Sequence, residues 1–73
     1  MDDLARRVLN QFTEMGSSKL DLHSLFEAGG NDPAARDGVL EVVERLVRDG
    51  LLEESGSDYY ALTEKGRSAV HKP

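Results

Sequence analysis

The chain reads as a mainly α fold with a small β-hairpin, an α+β domain of low strand content. Three observations predict it. Apolar residues recur at helical spacing in two long segments, residues 3–15 and 32–49. Between residues 51 and 63 the period changes to alternation around the turn-rich Gly56-Ser57-Asp58. The chain has 73 residues, with no repeat, low-complexity tract or linker, which is enough for a single domain over 1–73 and one core.

The elements follow in order. In residues 3–15, Leu4, Val8, Phe12 and Met15 recur at spacings of four and three, with Ala5 and Leu9 beside them, so one face of a helix is apolar. Asp2 and Asp3 stand where acids favour a helix start, and Gly16-Ser17-Ser18 ends the segment. Residues 19–21 fit a very short strand. Asp21 then caps a second helix, Leu22 to Ala28, whose buried side is Leu22, Leu25 and Phe26 and whose stop is Gly29-Gly30.

Asp32-Pro33 is a start signal: Asp caps, and Pro at the first helical position loses nothing by its missing N–H. The third helix runs to Asp49 on a stripe of Val39, Leu40, Val43, Leu46 and Val47. Gly50 can end it in a left-handed turn, with Leu51 packing back. Leu51–Ser55 and Tyr59–Thr63 form the hairpin; Tyr60 and Leu62 share its buried face, and Tyr59 points outward. Thr63 caps a short last helix to Val70, and His71-Lys72-Pro73 should fray. The order is α1-(short β)-α2-α3-β-β-α4.

Two stretches carry a family resemblance. Glu44-Arg45-Leu46-Val47-Arg48-Asp49-Gly50-Leu51-Leu52-Glu53 looks like the end of a recognition helix running into a wing. Tyr60-Ala61-Leu62-Thr63-Glu64-Lys65-Gly66-Arg67 looks like the wing's second strand running into a closing helix. Together they resemble the winged helix-turn-helix family of bacterial and archaeal transcription regulators, a likeness that covers nearly the whole chain in element order. The family also contains modules that bind proteins. In its DNA-binding members the third helix enters the major groove and the wing touches a phosphate or the minor groove. By position, the outward residues here would be Arg36, Asp37, Gly38, Leu40, Glu41, Glu44, Arg45 and Arg48. The family usually presents Ser, Thr, Gln, Asn, Arg or Lys there, and Arg or Lys at the wing tip. This tip, Ser55-Gly56-Ser57-Asp58, has neither.

Composition narrows the function. Fourteen acids face nine bases, a net charge of −5, which disfavours non-specific attraction to nucleic acid or anionic lipid. No segment is apolar for long enough to span a membrane, and Met1-Asp2-Asp3 has the wrong charge for a signal peptide. With no cysteine, this points to a cytoplasmic chain. No small-molecule ligand, cofactor or metal is expected. Gly29-Gly30-Asn31-Asp32 lacks the spacing and the Lys-Ser/Thr of a phosphate-binding loop. His23 and His71 stand far apart, and the acids of the third helix alternate with bases without a calcium-loop pattern. The serines lie in no nucleophile motif, so no catalytic residue is assigned and no enzyme activity is expected.

What remains is a binding surface with Arg36, Leu40, Glu41, Arg45, Arg48, Tyr59 and Arg67 as candidates. Arg45, Arg48, Lys65 and Arg67 could gather as a basic cluster by the wing base. Against that, Glu41 to Arg45 and Glu44 to Arg48 have the spacing of four that favours local pairs. The Arg6-Arg7 step reads foremost as a solvated helix face. Two functions stay open. One is a protein-interaction or dimerisation module with an apolar centre and a charged rim. The other is a regulator of transcription that reads double-stranded DNA with helix 32–49 and wing 51–63.

Overall fold

The computed structural model describes residues 2–70. Helix α1 (Asp3–Glu14) is followed by strand β1 (Lys19–Asp21) and helix α2 (Leu22–Phe26). Two 3₁₀ turns (Glu27–Gly29 and Pro33–Ala35) lead into α3 (Arg36–Arg48). The hairpin β2 (Leu52–Glu54) and β3 (Tyr59–Leu62) and then α4 (Glu64–Val70) complete the chain. The fold is mainly helical with one small sheet, in the order read from the sequence. The tail expected to fray, residues 71–73, lies outside the described residues.

Side-chain caps set the helix starts. Asp2 accepts from the Ala5 N–H at 2.8 Å, Asp21 from Ser24 at 3.2 Å and Asp32 from Ala34 at 3.0 Å. Thr63 serves α4: its Oγ1 accepts from the Gly66 N–H at 3.0 Å and donates to the Gly50 carbonyl at 2.6 Å. Gly50, at φ +83°, closes α3. Its N–H meets the Val47 carbonyl, and the Leu51 N–H meets the Leu46 carbonyl at 2.9 Å, a pairing that needs the left-handed residue between them.

Two helices differ at their ends from the sequence reading. The second helix is α-helical only to Phe26 and tightens to 3₁₀ over Glu27–Gly29. The third begins with a 3₁₀ turn on Pro33, and regular α-helix starts at Arg36. Short 3₁₀ segments are common at helix ends because they satisfy terminal groups that a full α-turn leaves free.

The sheet has the order β1-β3-β2, antiparallel throughout. Leu20 stands opposite Tyr60 and Tyr60 opposite Glu54, while Leu52 stands opposite Leu62, so these five share one face. Lys19, Tyr59, Ala61 and Glu53 occupy the other. The first face continues the core, which joins Val8, Leu9 and Phe12 of α1 to Leu25, Val39, Val43, Leu46 and Leu52.

The burial of three helices differs from the sequence reading. Met15 is 48% exposed, because α1 ends at Glu14 and Met15 turns away in the cap. Gln11 is buried instead, its amide donating to the Ser24 carbonyl at 3.3 Å. Val42 is buried, whereas Leu40 and Val47 are only half-buried. α1 packs against α3, enclosing the Val42 side of its apolar arc and leaving the Leu40 side at the edge. Finally, Leu22 and Phe26 are half-buried, and only Leu25 of α2 is fully enclosed.

Candidate functional site

A helix advances 100° per residue, so the burial of α3 divides its surface into four strips. Val39, Val42, Val43 and Leu46 face the core. Gly38 and Arg45 face α1: a Cβ at Gly38 would stand 3.4 Å from Leu4 Cδ2, and Arg45 pairs with Asp2 at 2.8 Å. Asp37, Glu41, Glu44 and Arg48 recur at spacings of four and three on the outward ridge, and all are exposed. Arg36, Leu40, Glu44 and Val47 form the last strip, on the side opposite Gly38 and Arg45.

This last strip borders an incompletely covered apolar seam. At its start the Arg36 guanidinium lies 5.4 Å from the centre of the Phe26 ring, a cation–π approach. Leu40 is half-buried and stands outside the buried cluster, whereas Phe26, Val47 and Tyr60 pack against that cluster from its edge. Burial pushes the Tyr60 phenol above its ordinary value of 10.0, and the negative charge of Glu54, Asp58 and Glu44 adds to the effect. Glu54 stands opposite Tyr60 in the β2–β3 register, so a carboxylate of the hairpin borders this side chain.

The hairpin is anchored next to this seam. The Ser55 N–H donates to the Tyr59 carbonyl at 2.9 Å, and the Leu22 N–H at the start of α2 donates to the Asp58 carbonyl at 2.7 Å. The hairpin tip and α2 are thus held together. One base beside the end of α3 has a local partner as well. Lys65 Nζ donates to the Asp49 carbonyl at 2.9 Å, where the partial negative charge of the helix end favours a cation.

The sequence candidates fall into separate places. Arg36, Leu40, Glu41 and Arg48 lie on adjoining strips of α3. Arg45 is exposed but turned to α1, and its partner is Asp2, not the expected Glu41. Among the described residues no Glu44–Arg48 pair forms. Gly38, expected to face outward, faces Leu4. Tyr59 is 45% exposed on the opposite face of the sheet from Tyr60, with Lys19 Nζ 5.3 Å from its ring centre. Arg67 is exposed on α4. The sequence reading placed Leu40 and Val47 on one stripe of the third helix but did not bring Phe26 or Tyr60 to that edge of the core. Its one available signal was the spacing of Arg36, Leu40, Glu44 and Val47.

A second depression, about 300 Å³, lies between α1 and the 3₁₀ turn after α2, lined by Arg7, Asn10, Gln11, Glu14, Glu27 and Ala28. It is polar and carries both charge signs. Among the described residues no group of three or more His, Cys, Asp or Glu is placed to hold a metal ion. No helix among them is long and apolar enough to cross a membrane. Comparison of the chain with family models, with curated proteins and with solved structures finds no match.

Proposed function

We propose that this chain is a non-enzymatic winged-helix binding module whose α3 and hairpin, the recognition helix and wing of that arrangement, engage a protein. The element order supports the winged-helix reading, with β1 completing a three-stranded sheet beside the hairpin. One observation carries the choice of partner. The surface that would meet a duplex displays Asp37, Glu41 and Glu44 along the helix ridge and Glu53, Glu54 and Asp58 on the wing.

Duplex DNA carries about one negative charge per 1.7 Å of axis, and most of a DNA-binding protein's affinity comes from cations set against it. Here Arg36 lies over Phe26 and Arg45 is held by Asp2, which leaves Arg48 as the one base on the outward ridge. A protein surface suits this composition better: half-covered apolar side chains at the centre and charges at the rim. The cysteine-free, acidic composition supports a cytoplasmic setting.

Titration of labelled protein with a mixed-sequence DNA duplex at low salt tests the reading. The amides of Arg36–Arg48 and of the wing are expected to stay unshifted at high DNA excess. Shifts confined to those residues and abolished by salt would replace this reading with that of a DNA-binding regulator.

A further inference from the structure

We infer that the occupant of the α3–wing surface is a basic, amphipathic segment of another protein, not a second copy of this chain; the inference rests on the protein-binding reading above. The apolar seam supplies the anchor. Leu40, Phe26, Val47 and Tyr60 are each half-buried, and Leu40 lies outside the closed core, so a partner can remove further apolar area from water there. The rim supplies the sign. Glu44 borders the seam on the helix, and Glu54 stands opposite Tyr60 on the hairpin. Among the described residues neither carboxylate is engaged in an ion pair. Arginine or lysine flanking apolar side chains is the chemistry that answers both features.

Charge also works against a self-complementary pairing, since each copy carries a net charge of −5. An isologous interface sets one patch against itself. Antiparallel pairing of α3 with its copy sets Arg36 beside the second Arg48 at both ends. It also brings Glu41 and Glu44 from both chains together in the middle, where like charges repel, while Asp37 meets the second Arg48 at the ends. A parallel arrangement sets each acid against itself. A basic partner meets no such opposition, and its attraction weakens as salt screens it.

The test uses a designed amphipathic peptide with leucines on one face and lysines and arginines on the other, together with a control peptide in which the basic residues are glutamates. Amide shifts are followed in labelled protein at low and at physiological salt, and self-association is followed by sedimentation. The expected result is saturable shifts centred on Leu40–Arg48, Glu54 and Tyr60 with the basic peptide alone. Leu40→Ser should weaken binding about tenfold, which is about 1.4 kcal/mol, with the melting temperature retained.

Absence of shifts at these residues, or equal binding of the acidic control, overturns the inference. A dimer that Leu40→Ser dissociates also overturns it, while leaving the protein-binding reading in place. Displacement of the peptide by duplex DNA on the same amides overturns both.

Discussion

The two flanks of α3 are finished differently. On the side of α1, Gly38 lies against Leu4, and Arg45 reaches Asp2, which also caps α1. Every polar group named there is answered from within the chain. On the side of α2 and the hairpin, Arg36 covers part of Phe26, but Leu40, Val47 and Tyr60 stay half-covered, with Glu44 and Glu54 beside them. One flank is used up in making the fold. The other holds apolar area that folding leaves in contact with water, and such area beside a charged rim marks a place for a partner. Net charge alone would not separate them, since both flanks carry acids.

The contrast can be broken from the buried side first. Phe12 is 1% exposed, and Phe12→Ala should cost about 3–5 kcal/mol, enough to unfold much of a domain this small. Leu40→Ala, on the open flank, should cost less than about 1 kcal/mol. Urea denaturation of the two variants checks the difference, and equal losses would mean that Leu40 belongs to the core. Gly66→Ala comes next. A Cβ there would collide with the Leu51 carbonyl oxygen and stand 2.8 Å from Leu62 Cδ1, where α4 crosses the start of the hairpin. The same measurement should show a loss of about 3 kcal/mol.

Gly38→Ala sharpens the picture in the other direction. Its Cβ would make a contact with Leu4 that is only slightly tight, so the gain in helix propensity should dominate and raise stability by up to about 1 kcal/mol in thermal melts.

The smallest effects come from pH, and they separate the flanks. The Ala5 N–H and then the Arg45 guanidinium hold the Asp2 carboxyl below 3.8, and hydrogen bonds from Ser24 do the same for Asp21. A carboxyl depressed in the folded state contributes stability above its unfolded pKa and loses it as pH falls through the folded value, so the acid limb lies below about pH 4. Tyr60 is raised above 10.0. Between the two values the unfolded chain has released a proton that the folded one retains, so stability falls as pH rises past about 10. A melting-temperature profile should therefore be flat near neutrality. Asp2→Asn should blunt its acid limb and Tyr60→Phe its alkaline limb.

The element order was legible because each boundary has a local chemical cause. Asp21, Asp32 and Thr63 accept helix N–H groups, and Gly50 turns left-handed, whatever the rest of the chain does. The orientation of α3 was not legible. Its sequence offers an apolar arc from Val42 round to Leu40, and which part of that arc is buried depends on what packs beside it. Packing against α1 enclosed Val42 and left Leu40 at the edge. The ion pairs were misread for a related reason. Spacing of four admits Glu41–Arg45, but spacing says nothing of Asp2, distant in sequence and close in space. Of the candidate site, the helix residues could be named from their order. Their neighbours Phe26 and Tyr60 needed the tertiary fold.

The most direct test sets equal charge reversals on different parts of the molecule. Glu44→Lys lies on the strip of α3 that borders the seam, and Asp3→Lys lies at the start of α1 on the closed side; each changes the net charge by the same amount. Binding of the basic amphipathic peptide to both variants should be measured at one salt concentration. The account predicts that Glu44→Lys weakens binding about tenfold, while Asp3→Lys leaves it within a factor of about two. Equal weakening by both would show attraction to an acidic protein in general, and would contradict the assignment of a binding surface to this flank of α3.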